Sequence, residues 1–275
     1  MTSVPKNVDG FHKLSSLWRI DYEVEALEPL LTRAAYEEAK EEVADMLDKT
    51  LPKPELDAVP LFIDGRAVIT GNAVKGVFRH IISAQLTEAG KRVCVQKVKK
   101  REGVDVKELG RVEMCEPDDP CEVCKWFGTV GRQGALYFSM LWSRGGREEV
   151  LAAEPIPMVA LVEDTKALEA EVGKGKFALL APVKKGTVFS GFITGDNLSE
   201  VIIGAIKEVQ DISEKGLLKL GGYKTRGFGS VKIAIKSIEK FRAVPFGLEK
   251  KYEGEELRAF LAECQEKYHE FLSVK

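Results

Sequence analysis

The chain has 275 residues, with 41 lysines and arginines against 43 aspartates and glutamates, and a formal net charge of −2. This balance excludes a protein that binds nucleic acid through its overall charge, so any such binding depends on a local basic surface. No stretch has the ~20 apolar residues of a membrane-spanning helix, and the first residues lack the apolar core of a signal peptide. We therefore expect a cytoplasmic protein that contacts no membrane.

The first part of the chain predicts a strand, a helix, a loop and a hairpin. Residues 17–27 alternate apolar and polar side chains as a half-buried strand does, and residues 34–50 are rich in helix formers. Residues 51–60 contain three prolines and predict a loop. The pair Asp64-Gly65 between two short apolar runs is a strong signal for a hairpin turn.

A helix capped by Asn72 is predicted to run to about Ala89, where Gly90 ends it. Residues 91–126 then show little periodicity and predict an insertion, which opens with six cations among the eleven residues 91–101.

The remainder again alternates strands and helices. The predicted elements are a strand at 135–142, an irregular excursion at 154–185 with a short helix near 165–172, a strand at 186–195, a helix from the capping residue Ser199 to about Lys215, a strand at 230–240 and an amphipathic helix at about 253–272.

Without the insertions, the order is strand, helix, strand, strand, helix, strand. This order predicts an α+β protein with the ferredoxin-like βαββαβ core found in RNA-recognition domains. We expect a single domain, residues 1–275. Its core would comprise about 15–33, 61–90, 127–153 and 186–240, with insertions at 34–60, 91–126 and 154–185 and a C-terminal helix at about 253–272.

The segment GGYKTRGFGS, residues 221–230, is glycine-rich and cationic, and it lies between a predicted helix and a predicted strand. A Walker loop needs Lys and then Ser or Thr after its last glycine, and a dinucleotide loop must open a helix, so both are excluded. From Arg226 the segment approaches the RNA-recognition strand signature, but Ser230 and Ile233 replace two stacking aromatics. Phe228 remains as the one candidate for base stacking.

The same loop has the groups that bind phosphate, because backbone amides and the side chains of Lys224 and Arg226 lie together. The alternative is a tight helix-to-strand turn whose glycines only provide positive φ angles.

The cysteines predict a metal site. Cys121 and Cys124 form a C-x-x-C pair, and Cys115 lies close upstream. Three thiolates in a short proline-containing loop suit a structural Zn²⁺ site. Either Cys94 or His80 could supply the fourth ligand. Buried free cysteines are the alternative, and we expect Cys264 to pack in the core.

Four stretches together resemble the RAMP superfamily, the repeat-associated subunits of CRISPR effector complexes. The stretches are GNAVKGVFRH at 71–80, CEVCKWFGTVGRQGALYF at 121–138, the excursion and strand at 158–193, and LGGYKTRGFGSVKI at 220–233. The likeness is greatest to backbone subunits of type III (Csm/Cmr-like) complexes, which carry zinc in this insertion.

The resemblance implies a subunit that holds CRISPR RNA by its phosphates and leaves the bases free to pair with target RNA. Its partners would be other RAMP subunits and copies of itself in a helical filament, which the thumb-like excursion would contact. The residues that we expect to bind RNA are Asn72, Lys75, Arg79, Gly221, Gly222, Lys224, Arg226, Gly227, Phe228 and Gly229.

Some members of this family cleave the paired target with a loop aspartate and a divalent metal. Asp57 falls close to that position, so the resemblance implies a possible Mg²⁺-dependent endonuclease with Asp57 as its catalytic residue. Two other hypotheses are a repeat-RNA processing endoribonuclease and a zinc-stabilised interaction module that binds no RNA. The first usually needs a His or Tyr near the first helix and rarely carries the cysteine insertion.

Overall fold

An antiparallel sheet forms the centre of the molecule. The computed structural model describes residues 14–32, 37–47, 56–94, 115–159 and 177–274. The strands of the sheet are β1 (Ser16–Ala26), β2 (Phe62–Ile63), β3 (Arg66–Ile69), β4 (Leu136–Phe138), β5 (Leu141–Gly146), β8 (Val188–Asp196), β9 (Val231–Arg242) and β10 (Gly247–Tyr252). A separate antiparallel pair consists of β6 (Ile156–Val159) and β7 (Phe177–Leu180).

The strand order is β10-β9-β1-β8-β5-β3-β2, and β4 also pairs with β8. In sequence order β1, β5, β8 and β9 are the four strands of the predicted core, so their spatial order is 4-1-3-2. This antiparallel order is consistent with the expected ferredoxin-like core.

The helices are α1 (Glu37–Ala44), α2 (Gly71–Glu88), α3 (Glu122–Phe127), α4 (Arg147–Val150), α5 (Glu200–Glu214) and α6 (Gly254–Ser273). Alternate residues of β1 are buried, as the sequence pattern predicted, and they join the apolar faces of α2, α5 and α6 in one core. No helix in the described ranges is long and apolar enough to cross a membrane.

The two helices α5 and α6 approach each other closely at Gly204. A Cβ atom there would lie 2.0 Å from the backbone oxygen of Cys264, so only glycine fits. Cys264 is fully buried, in agreement with its predicted packing role.

The start of α2 differs from the prediction. Thr70 is the N-cap, and its hydroxyl accepts a hydrogen bond from the Ala73 amide at 3.4 Å. Asn72 lies in the first turn with an exposed side chain. The helix begins earlier than predicted because Thr70 has the extended backbone and the side-chain oxygen that an N-cap needs.

The predicted strand 135–142 is in fact two strands, because one extra residue interrupts its register with β8. Phe138 is opposite Ile193, whereas Trp142 is opposite Ser190. The hydroxyl of Ser139 accepts a hydrogen bond from the Phe192 amide at 2.8 Å and replaces a ladder bond.

Other boundaries differ by less. The hairpin turn is confirmed, with φ of 49° at Asp64 and 72° at Gly65, whereas α1 ends at Ala44, earlier than predicted, and β10 was not predicted. The predicted helix near 165–172 lies outside the described residues, as do residues 95–101 of the cationic segment.

Candidate nucleic-acid interface and metal centre

Four buried cysteines form a compact cluster. The Sγ atoms of Cys94, Cys115, Cys121 and Cys124 all lie within 4.8 Å of one another. The Sγ of Cys94 is 3.1 Å from that of Cys124 and 3.8 Å from that of Cys121. In a tetrahedral zinc site with Zn–S distances of about 2.3 Å, sulphur atoms are about 3.8 Å apart. The donor set and its size therefore fit Zn²⁺, with no ligand position left open for chemistry.

The local backbone explains how these cysteines meet. Cys94 follows the end of α2, whereas Cys121 is the N-cap of α3 and Cys124 lies one turn further. The amide of Cys121 donates a hydrogen bond to the Sγ of Cys115 at 3.2 Å. His80 is exposed and is not part of the cluster. Of the two predicted fourth ligands, the structure thus brings Cys94 into place.

The thiols titrate differently because they are buried together. Burial raises the pKa of Cys115 and of Cys124, and the nearby cysteines raise the pKa of Cys124 further. Burial also raises the pKa of Cys94, but hydrogen bonds from the other three cysteines outweigh it and lower the net value. Of these three thiols, that of Cys94 therefore loses its proton most readily, and a bound cation would favour the thiolate form of Cys115 and Cys124.

Two open grooves follow the exposed side of α2. The first, about 410 Å³, separates α2 from the segment that precedes residues 221–230, which we call the glycine loop. Its polar lining consists of Asn72, His80, Lys219 and Lys224. The second, about 550 Å³, separates α2 from the loop after α3. Its polar lining consists of Asn72, Lys75, Arg79, Thr129, Arg132, Gln133 and Tyr137. Asn72 and Gly76 line both grooves, so the two meet on the surface of α2.

Five polar residues of these grooves were not singled out from the sequence, namely Thr129, Arg132, Gln133, Tyr137 and Lys219. Lys219 pairs with Glu28 at 3.1 Å. The hydroxyl of Tyr137 donates to Asp196 at 2.9 Å and accepts from Gln133 at 3.0 Å. Burial, with a further effect of Asp196, raises the pKa of Tyr137 to about 12. No periodicity or motif marks these side chains, since only the fold brings them beside α2.

The glycine loop is a rigidly hydrogen-bonded connection with an exposed cationic tip. Lys224 to Arg226 form a 3₁₀ turn, flanked by left-handed residues at Tyr223 and Gly227. Gly221 and Gly229 have φ angles of 80° and 87°. Lys224 and Arg226 are exposed, and neither has an acidic partner in the part of the chain that the structure describes.

Two of the backbone amides that were predicted to bind phosphate already have partners. The amide of Gly222 donates to the Leu31 oxygen at 3.0 Å, and that of Gly229 donates to the Pro29 oxygen at 2.9 Å. These bonds attach the loop to the chain just after β1, so Gly222 and Gly229 serve the loop's position.

Phe228 does not have the predicted role. Its side chain is 3% exposed and packs with Leu31, Ala58 and Leu180 in a small second core. A ring enclosed in this way has no face for a base, so we remove Phe228 from the RNA-binding set. Phe228 is therefore a packing residue, because the turn directs its side chain inward.

Arg79 has more contacts than a surface cation. Its guanidinium donates to the backbone oxygen of Gly128 at 2.8 Å and lies 3.7 Å from the Sγ of Cys124. Lys75, one turn earlier, is half-buried, and burial together with the charge of Arg79 lowers its pKa.

Asp57 is exposed and lies beside β7. Its carboxylate accepts a hydrogen bond from the Leu179 amide at 2.7 Å, and its own amide donates to the Leu179 oxygen at 2.9 Å. Among the described residues, the cysteine cluster is the one group of three or more metal-type ligands, and Asp57 does not belong to such a group.

Comparison with known protein families places these features in one context. A family model described as the RAMP superfamily matches residues 23–232. A search of curated proteins gives no match. The matched range contains both grooves, the glycine loop and the four clustered cysteines, and the superfamily is associated with RNA binding in CRISPR systems. Since the match extends over more than half of the chain, this protein belongs to the RAMP superfamily.

Proposed function

We propose that this chain is a CRISPR-RNA-binding backbone subunit of a type III interference complex. It would hold the guide by its phosphates along α2 and the tip of the glycine loop, and it would leave the bases free to pair with target RNA. The observation that carries the proposal is the position of two exposed cations on one turn: Lys224 lines the first of the grooves that meet on α2, Arg226 lies two residues further, and neither pairs with an acidic side chain among the described residues.

Several further features support a grip on the RNA backbone. Asn72 and Lys75 extend the polar surface along α2. The amides of Gly221 and Gly227 remain candidates for phosphate, whereas Phe228 is buried and offers no face to a base. Contacts to phosphate fix the position of the RNA without reading its sequence. A subunit that must hold guides of any sequence needs this behaviour.

Binding of single-stranded RNA at several salt concentrations tests the proposal. We expect Lys224→Ala with Arg226→Ala to weaken binding roughly 10- to 100-fold and to reduce the salt slope by about 1.4, since each phosphate contact on a single strand contributes about 0.7. The matched control is Lys250→Ala with Arg258→Ala, which removes two exposed charges outside both grooves. Undiminished affinity and slope in the first variant would refute the proposal, whereas absence of RNA binding by the unmodified chain would favour an interaction module that binds no RNA.

We further propose that Asp57 takes part in cleavage of paired target RNA. Its exposed carboxylate could bind a divalent ion such as Mg²⁺, which would activate the 2′-hydroxyl and polarise the scissile phosphate. The change Asp57→Asn preserves the size of the side chain and an oxygen for the Leu179 amide but removes the charge. In an assembled complex with guide and complementary RNA, it should abolish metal-dependent cutting.

Asp64→Asn is the matched control for Asp57→Asn. It makes the same chemical change seven residues away, at a turn position with φ of 49° that asparagine adopts well. Cutting by both variants at the rate of the unmodified complex would show that Asp57 is not a catalytic residue. Loss of cutting in both would point to a defect in assembly.

The partners in this proposal are the CRISPR RNA, its target RNA, other RAMP subunits and copies of the same chain. Head-to-tail contacts that do not close into a ring build a filament. We propose that the excursion at 154–185, which contains the β6–β7 pair, contacts the adjoining subunit or the bound nucleotides.

A further inference from the structure

Arg79 connects two parts of the molecule that are distant in the sequence. It projects from α2, donates to the Gly128 oxygen at the end of α3, and lies against the Sγ of Cys124. The N–O distance of 2.8 Å is that of a good hydrogen bond, and an N–S distance of 3.7 Å suits a donor to the larger sulphur atom.

The charge of Arg79 suits a metal-bound cluster. Four thiolates around one divalent ion carry a net charge of about −2, and these four side chains are at most 7% exposed. A negative centre so far removed from water is stabilised by donors that point at its sulphur atoms. Arg92, a second cation near the cluster, has its guanidinium on Asp119 at 2.6 Å. Arg79 is thus the arginine with a direct contact to a cluster sulphur among the described residues.

The loop that follows α3 is held at its start by Arg79, which contacts the cluster, and near its end by the segment between Cys115 and Cys121. A Cβ atom on Gly134 would lie 2.3 Å from the Gly128 nitrogen, so the two ends of the loop cross in close contact. The guanidinium of Arg132 donates to the oxygen of Pro117 at 3.0 Å, and Pro117 lies between Cys115 and Cys121. This segment, residues 128–134, is one wall of the second groove. This wall of the groove is therefore held by hydrogen bonds at two points, from Arg79 to Gly128 and from Arg132 to Pro117.

We propose that Arg79 is a positioning residue that couples occupancy of the cysteine cluster by a metal to the shape of the RNA groove, and that it is not itself a phosphate ligand. The wall 128–134 would be held in place when zinc is bound and would loosen when it is removed. The part that concerns RNA rests on the proposed function, whereas the part that concerns zinc does not.

The test compares Arg79→Gln and Arg79→Lys with the control Lys75→Gln, on the purified full chain loaded with zinc. Lys75 lies on the same helix and lines the same groove, but it has no contact with a cysteine. We expect Arg79→Gln to release zinc to a chromogenic chelator about 10- to 100-fold faster than the unmodified chain, as is typical for the loss of an outer contact to a metal ligand. Arg79→Lys should be intermediate, because one ammonium cannot span both contacts. Lys75→Gln should match the unmodified chain.

RNA binding distinguishes positioning from direct contact. A phosphate ligand reduces the salt slope by about 0.7 when it is removed, so we expect this reduction for Lys75→Gln and an unchanged slope for Arg79→Gln. Unchanged zinc release together with a reduced slope in Arg79→Gln would overturn the proposal. If neither the unmodified chain nor any variant binds RNA, the proposed function is refuted, and the zinc measurement still tests the role of Arg79.

A measurement on the unmodified chain guards against a variant that does not fold. Trypsin can cut after Arg132, whose side chain is held on Pro117. We expect EDTA to accelerate this cut selectively, with added zinc restoring protection. Equal cutting with and without zinc would show that the wall does not depend on the metal and would refute the coupling.

Discussion

Two glycines of the loop at residues 221–229 provide a matched pair for testing how the loop is held. Gly221 and Gly227 have nearly the same backbone, with φ of 80° and 83°. A Cβ atom on Gly221 would lie 2.5 Å from the Leu31 oxygen, whereas one on Gly227 would have no atom within 4 Å. An alanine at either position therefore suffers the same backbone strain, but only one of them collides with the chain after β1.

The expected destabilisation follows from these two terms. Alanine in the left-handed region costs about 1–2 kcal/mol, which is the expected loss for Gly227→Ala. Forcing a methyl group against packed backbone adds about 1–3 kcal/mol, so Gly221→Ala should lose roughly 2–5 kcal/mol in all. In a chain of this size, each kcal/mol lowers the melting temperature by about 2–4 °C.

Thermal unfolding of the two variants measures the difference directly. We expect Gly221→Ala to melt several degrees below Gly227→Ala, whereas Gly227→Ala should lose RNA affinity because its methyl group stands at the exposed cationic tip. Equal melting temperatures would refute the close contact between Gly221 and the Leu31 oxygen. Unchanged RNA affinity in Gly227→Ala would indicate that the glycines serve only the turn.

Two other predictions concern the metal and the anchor of the loop. His80→Ala should retain about one zinc per chain by elemental analysis, and Cys94→Ser should lose it, because Cys94 and not His80 lies in the cluster; loss of zinc in His80→Ala alone would contradict this ligand set. The hydrogen bond from Lys219, followed by that from the Ser230 amide, lowers the pKa of Glu28 against the effect of partial burial. Glu28 therefore stabilises the fold above its unfolded pKa, and the stabilisation is lost as the pH falls through the lowered folded value. Unfolding of Glu28→Gln should match that of the unmodified chain in acid and occur more readily at neutral pH, and a difference that grows in acid would show the opposite linkage.

The sequence predicted the parts of the fold that depend on local patterns. Alternation in β1, the Asp64-Gly65 turn and the apolar face of α2 all have short-range signals, and each is present in the structure. The break at Ser139 has no such signal, because it results from a mismatch in residue number with β8. The exposed strand β10 was missed because its pattern of charges does not resemble a half-buried strand.

The candidate site divides in the same way. Spacing along the chain was sufficient to find three of the clustered cysteines, and it left Cys94 and His80 as alternatives that only the fold distinguishes. From their charge alone, Arg79 and Lys224 were both predicted to bind RNA phosphates. Their surroundings separate them, since one points at a sulphur atom and the other at solvent.

The cysteine cluster also isolates a segment of the chain. The Sγ atoms of Cys94 and Cys115 lie within 4.8 Å of each other, and twenty residues, 95–114, connect them. With a metal bound, both ends of this segment are fixed on the same ion. The entropy of closing such a loop rises slowly, by about 0.6 kcal/mol for each doubling of its length. A change in the length of this segment therefore costs little free energy, and the position of Cys94 after α2 relative to Cys121 and Cys124 on α3 does not depend on it.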